Sequence, residues 1–424
     1  MSGSAARISR IMSATGAGCS SGLAHVSLAP PNVVFHLQAQ YKADPSPDKL
    51  NLGIGAYQTE EGKSYVLNVV REVEQEILSQ ALDKEYLPIG GDPEFVRLAQ
   101  ELILGKDNPR VKQGSVCGIQ AVSGTGALRV LCEVISEWLP GTKVLISDPT
   151  WENHSKILER TRIPWGTYRY WNQATRGLNL DGMIADLRAA PDRSVILLHA
   201  CAHNPTGVDP TRDQWKAIAE VMRQKRHFPL FDSAYQGFAT GSLENDGWAV
   251  RLFSDEGFEV FIAQSFSKNL GLYGERIGCA SVVCADPAVA KAVASQMALI
   301  IRPMYSNPPL HGMRIAKRIL GSPALFAKWT DELKIMSGRI KDMRTALHDE
   351  LVALKTPSAS GDWSHIISQI GMFSFTGLTP EQVDRIVKEF HVYMLRNGRI
   401  SMAGLTRDRA KYLATSIHRV VTNT

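Results

Sequence analysis

The sequence predicts an α/β protein built around a mainly parallel sheet. From about Val116 short apolar runs alternate with longer amphipathic stretches. The runs are β-branched or aromatic and do not strictly alternate with polar residues, as strands covered on both faces should look. Polar residues with chemical potential follow directly after these runs, where open α/β sheets gather their ligands.

Each element has its own warrant. Val116 to Val122, Lys143 to Ser147, Ser194 to His199, Phe228 to Asp232 and Val260 to Gln264 read as buried strands. After Gly126, Leu128, Leu131, Val134 and Ile135 share one helical face; Trp215, Ile218, Ala219 and Met222 do the same further on. Alternating strands and helices imply parallel pairing. From about Lys341 the pattern changes to a long helix, a strand-like Gly371 to Phe375 and a helix Pro380 to Phe390. That predicts a smaller α+β domain, residues 31–65 and 341–424, completed by the segment near Lys49 to Tyr57. Residues 66–340 then form the large domain, and 1–30 an N-terminal arm or transit segment.

The composition is that of a globular chain: 424 residues, 44% hydrophobic and 21% charged. A net charge of +5 is too mild for the clustered basic face that nucleic-acid binding needs. No uncharged apolar run approaches the ~20 residues of a membrane span, so a soluble protein is expected. The six cysteines include no C-x-x-C pair, and most lie in apolar runs, as reduced buried thiols do. Met1 to Ala43 contains no Asp or Glu but carries Arg7, Arg10 and many Ser and Ala. This fits an organellar transit peptide and a mitochondrial matrix location; the rival reading is a flexible arm of a cytoplasmic protein.

Three motifs are decoys. Gly53-Ile54-Gly55 and Gly124-Thr125-Gly126 each begin a G-x-G-x-x-G, but Gln58 and Arg129 replace the third glycine. Gly62-Lys63-Ser64 ends like a P-loop, yet Tyr57 occupies its first glycine's place. Ser123 to Leu128 joins a strand to a helix start, where free N–H groups and the helix dipole favour a phosphate. A structural turn with a Ser or Thr N-cap explains the same residues. Lys268 lies directly after a strand, among hydroxyls and glycines, in Ser265-Phe266-Ser267-Lys268-Asn269-Leu270-Gly271. An amine nucleophile needs such desolvation or a cationic neighbour, and Arg276 supplies positive charge. Asp232 ends an apolar run, either as an N-cap or as a buried functional anion, with Tyr235 three residues on.

With His199 to Pro210, Asp232 to Gly237 and Ser123 to Leu128, the run Ser265 to Gly278 resembles the aspartate aminotransferase family, a fold-type-I group dependent on pyridoxal phosphate (PLP). Tyr86 to Gly91, Pro149 to His154, Arg302 to Pro309 and Gly398 to Ser401 extend the resemblance, which is continuous from about Leu50 to the C-terminus. It implies a large domain with a mainly parallel seven-stranded sheet, a smaller α+β domain, and a homodimer whose sites are shared between subunits. Lys268 would carry the cofactor as a Schiff base and then shuttle a proton. Asp232, backed by His154, would pair with the pyridine nitrogen; Tyr235 and Asn204 would face the ring hydroxyl and Trp151 would stack on the ring. Gly124, Thr125, Ser265 and Arg276 would hold the phosphate, with Tyr86 reaching it from the neighbouring subunit. Arg399 would bind the substrate α-carboxylate, Arg302 of the neighbour the side-chain carboxylate, and Gly55 would line the pocket.

Guanidinium forks match carboxylates bidentately, so two arginines suit the two ends of a dicarboxylic amino or keto acid. The implied reaction converts L-aspartate and 2-oxoglutarate to oxaloacetate and L-glutamate by ping-pong kinetics. The sequence departs from the pattern at Gln58, where a basic residue is expected, and at Ser267, where relatives vary. Rival readings are an aminotransferase of broader specificity, a PLP lyase or decarboxylase, and a silent binding protein on the same fold.

Overall fold

A computed structural model describes residues 21–59 and 63–423, and in it all five expected strands join one seven-stranded sheet. In chain order its strands are β1 (Val116–Val122), β2 (Val144–Asp148), β3 (Trp165–Arg169), β4 (Val195–His199), β5 (Phe228–Ser233), β6 (Val260–Ser265) and β7 (Ile277–Val283). Their spatial order is β1-β7-β6-β5-β4-β2-β3. Only β7 runs against its neighbours: Ile277 faces Val122 of β1 and Gly278 faces Ser265 of β6. The rest of the ladder is parallel, with His199 opposite Asp232 and Asp232 opposite Ala263.

This register positions the site. Since β1, β4, β5 and β6 all end on one side of the sheet, Ser123, His199, Asp232 and Ser265 come together there. The antiparallel β7 starts from the same side and brings Arg276 with it. Helices cover both faces, and every residue of β4, β6 and β7 is buried. The expected helical faces are apolar seams against the sheet: Leu128, Leu131, Val134 and Ile135 are buried, as are Trp215, Ile218, Ala219 and Met222. A Thr211 capping box opens the second of these helices, and another at Thr379 opens Pro380–Phe390 as expected.

The tail differs from expectation in one respect. Its long helix spans Pro323–Ala353, starting well before Lys341, with Ser322 as N-cap and Pro323 in the first turn. Leu50–Asn51 pairs in parallel with Val392–Tyr393, and Phe373–Phe375 pairs antiparallel with Arg399–Ser401. Asn32 caps the helix Val33–Ala43, while residues 21–30 are exposed and form no helix or strand. The rest of the expected transit segment, residues 1–20, lies outside the described residues, as do Cys19 and Gly62. All five described cysteines are free and buried. Among the described residues no helix is long and apolar enough to cross a membrane.

Candidate active site

At the carboxyl side of the sheet lies a cavity of about 280 Å³. A larger cleft of about 820 Å³ beside Arg251 lies elsewhere, lined by leucines and surface charges, with no cluster of buried reactive groups. Chemistry concentrates in the smaller one.

Its first wall is the β1 exit. The helix Ser123–Trp138 follows the strand without a linker, which forces Ser123 to a left-handed φ of 61°. Among the described residues no side chain caps this helix, so the N-cap reading fails; the Ser123 N–H donates to the Arg276 carbonyl at 3.0 Å, and the backbone N–H groups that follow are left for a ligand. The Ser123 hydroxyl lies 3.1 Å from that of Ser265 and 2.8 Å from that of Ser267. Arg276 donates to Ser267 at 3.4 Å and to the Tyr273 carbonyl at 3.0 Å. Three hydroxyls, a guanidinium and an uncapped helix start make an oxyanion cradle. Close approach is built in: a Cβ on Gly278 would stand 2.5 Å from the Ser123 carbonyl carbon.

Lys268 is half-buried, with its amine 5.2 Å from the centre of the Tyr235 ring and, among the described residues, no hydrogen bond or ion pair. Burial pushes its pKa below the usual lysine value; Asp232 opposes this, while Arg276 and Arg399 add to it. A neutral amine is the reactive form, so the surroundings favour a nucleophile or base.

Asp232 is buried and accepts a 3.1 Å hydrogen bond from His154 Nε2. Burial acts to raise its pKa, but His154, with help from His199 and Lys268, more than offsets this and leaves a carboxylate. Behind it His154 Nδ1 meets the Thr150 hydroxyl at 2.8 Å, which meets His199 Nε2 at 3.3 Å. Burial pulls His199 down to about 3, so it stays neutral and adds no proton charge beneath Asp232. Its Nδ1 accepts from the Asn204 backbone at 3.3 Å, fixing the turn that carries that amide.

Arg399 forms the opposite wall. It is 7% exposed, lies 4.1 Å over the Phe373 ring, and donates from Nη2 to the Gly53 carbonyl at 2.8 Å. Its Nε is buried without a partner, and burial lowers its pKa to about 10. An orphaned guanidinium edge facing a cavity is a carboxylate receptor. Gly55 lines the same wall because any side chain there would meet Phe373 at 2.9 Å.

The cavity thus gathers Gly55, Gly124, Thr125, Trp151, Asn204, Asp232, Tyr235, Ser265, Lys268, Arg276 and Arg399 from the expected set. It does not gather Tyr86 or Arg302. Tyr86 is 83% exposed, and Arg302 is exposed and donates to Ser306 at 2.6 Å. Ser123, His199, Tyr273, Phe373 and Val34 also line it without having been assigned roles from the sequence. Ser123 and His199 carried a readable signal, each standing at a strand exit; Val34 and Phe373 carried none. Ser267 belongs to the cavity, whereas Gln58 lines a separate pocket with Arg339.

A family profile, Aminotransferase class I and II, matches residues 47–417. The chloroplastic aspartate aminotransferase of Arabidopsis thaliana is 50% identical over 92% of this chain and 86% of its own. The cytoplasmic aspartate aminotransferase of Saccharomyces cerevisiae superposes with a TM-score of 0.92 at 41% identity, covering 95% of this chain and 99% of its own. An aromatic-amino-acid aminotransferase from Burkholderia pseudomallei, covalently bound to pyridoxal phosphate, gives 0.92 at 41% identity, over 95% and 100%. Matched along nearly its whole length, the chain belongs to the class I and II aminotransferase family.

Proposed function

We propose that this chain is an aspartate aminotransferase, exchanging the amino group between L-aspartate and 2-oxoglutarate at the cavity around Lys268. The observation that carries the reading is a lysine amine free of hydrogen bonds, set between a buried carboxylate and an arginine whose Nε has no partner. The cavity residues fit pyridoxal 5'-phosphate: the cradle of Ser123, Ser265, Ser267 and Arg276 suits its phosphate, and Asp232 suits a protonated ring nitrogen. When bound, the cofactor supplies an electrophilic aldehyde and a ring that accepts electrons.

The protein's own groups do the rest. Lys268 provides the amine and, once free, would take the α-proton of the substrate and pass it on to a position other than the carbon it left. Asp232 keeps negative charge at the cavity floor, supported by the chain His154–Thr150–His199. Arg399 holds the α-carboxylate, so the α-carbon is delivered to Lys268 in one orientation. Tyr235 and Asn204 supply a hydroxyl and an amide beside the amine, and Trp151 walls the cavity next to His154. Arg302 and Tyr86 lie away from this cavity in the single chain, and we assign them to the neighbouring site of a homodimer.

Two solved relatives are aromatic-amino-acid aminotransferases, so pocket breadth is the open variable. The test is a substrate panel with spectroscopy of the purified holoenzyme. Aspartate and glutamate should convert the cofactor to its amine form with the highest kcat/KM, and 2-oxoglutarate should reverse the change. Faster turnover of phenylalanine than of aspartate would replace this reading with the broader one. Release of product without stoichiometric keto-acid exchange would make the chain a lyase.

A further inference from the structure

Arg176 is a buried guanidinium that none of the steps above uses. It sits in the turn between the short strands Trp171–Asn172 and Gly177–Leu178, just after β3. The turn holds it at a left-handed φ of 52°, a conformation that disfavours a side chain, and it is only 4% exposed. Among the described residues it has no carboxylate within ion-pair distance. Burial lowers its pKa, the field of Asp362 opposing this only in part, and its guanidinium lies 5.6 Å over the Trp363 ring. A surface hairpin has no need of such a residue.

Its contacts lead to the substrate-facing wall. Arg176 Nη1 donates to the Thr376 carbonyl at 2.6 Å and stands 3.0 Å from His365 Nε2. Thr376 in turn donates to the Gly398 carbonyl from its backbone N–H at 3.0 Å and from its hydroxyl at 2.8 Å. Gly398 directly precedes Arg399, whose strand partner is Phe375, the neighbour of Thr376. The same hairpin sets Trp171 edge-on against Phe375 at 5.3 Å. Gly377 leaves room for the guanidinium: a Cβ there would stand 2.5 Å from Arg176 Cζ.

We infer that Arg176 is a positioning residue, fixing the strand pair Phe373–Phe375 and Arg399–Ser401 so that Arg399 meets the substrate carboxylate in register. This rests on the reading of Arg399 as the carboxylate receptor. Arg176 touches neither the Lys268 cavity nor the hydroxyl cradle, so its loss should act on substrate binding and leave the cofactor in place.

The test uses the dimeric holoenzyme and the variants Arg176→Gln, Arg176→Lys, Thr376→Val and Arg399→Met. Arg176→Gln should raise KM for aspartate about tenfold, with kcat changed less than about twofold and the cofactor spectrum unaltered. Arg176→Lys should recover part of the loss, because an ammonium still reaches the Thr376 carbonyl. Thr376→Val, which removes the hydroxyl half of the next link and keeps the backbone half, should raise KM in the same direction by a smaller factor. Placed in the Arg399→Met background, Arg176→Gln should lower kcat/KM by less than about twofold further, since both act through one contact. An unchanged KM, a fall in kcat matching the rise in KM, or a full second tenfold loss in that background would each overturn the inference. If Arg399→Met alone leaves KM unchanged, the carboxylate assignment itself fails, whatever Arg176 does.

Discussion

Replacing Arg399 with methionine separates what this residue does for the substrate from what it costs the fold. Its guanidinium has one hydrogen bond, to the Gly53 carbonyl, and one ring contact, with Phe373. Nε is left without a partner, and among the described residues no carboxylate lies within ion-pair distance. A substrate carboxylate taking the free edge would form two charge-assisted bonds, together about 4 kcal/mol, or roughly a thousandfold in kcat/KM. Stability should move the other way. The fall of its pKa to about 10 from the ordinary 12.5 marks a buried charge whose neighbours under-compensate it. Replacing such a cation with an apolar side chain of similar length is neutral or stabilising by about 1–4 kcal/mol. Steady-state kinetics with aspartate and thermal unfolding without substrate read the two effects separately. Arg399→Met should lose about three decades of kcat/KM while its Tm stays or rises by a few degrees. A loss of less than about tenfold would refute the carboxylate assignment, and a Tm lowered by about five degrees or more would refute the account of its burial.

Further perturbations follow the same logic. Lys268→Ala should cut transamination by at least about 10⁴-fold while the protein still binds pyridoxal phosphate without a covalent link, read by the absorption spectrum and by release on dialysis; near-normal turnover would sink the assignment. Gly278→Ala would press a methyl against the Ser123 and Gln264 backbones, at 2.5 and 2.6 Å, costing about 1–3 kcal/mol and loosening the phosphate cradle. A wild-type Tm with full cofactor occupancy would contradict that. His365 is held neutral by burial, with its pKa lowered to about 4 from 6.5. A depressed histidine contributes stability fully above pH 6.5 and loses it as pH falls from 6.5 towards 4, at about 1.4 kcal/mol per pH unit. Urea denaturation at pH 7.5, 6 and 5 should therefore show a shallower decline for His365→Gln than for the wild type; parallel curves would exclude the effect.

Much of this was legible because chemistry and hydrophobic pattern coincide at the strand exits. Asp232 and Lys268 stand out in the sequence as polar groups placed directly behind apolar strands, and the structure buries those strands completely except at Phe228. Strand direction was not legible. β7 is not among the five strands read from the sequence, and nothing in Ile277 to Val283 reveals that it runs against β1 and β6. β3 escaped notice because it is an edge strand in which only Tyr168 is buried, too few apolar positions to leave a pattern. Arg399 and Gly55 lie hundreds of residues apart, so only the family resemblance could connect them. The helix start at Ser123 was legible as a phosphate site but not separable from a capped turn, since a serine at that point reads equally well as a cap.

The charges in the cavity explain why these residues form one site. Lys268, Arg276 and Arg399 face it, and among the described residues the only carboxylate lining it is Asp232, already engaged by His154. Such an excess of positive charge is unfavourable in a partly desolvated cavity. Burial lowers the pKa of all three basic groups, and Lys268 is lowered further by Arg276 and Arg399. A phosphate at Arg276 and a carboxylate at Arg399 would offset the excess from opposite ends, leaving Lys268 between them. Before those anions bind, the lysine already has reason to lose its proton: burial disfavours the charged amine, and the two arginines, which cannot give up their own charge, repel it. Substituting Arg276 should therefore raise the pH at which Lys268 reacts, as well as weakening phosphate retention. The pH dependence of cofactor capture by cofactor-free Arg276→Gln checks this: an unshifted midpoint would mean that Arg276 does not set the reactivity of Lys268.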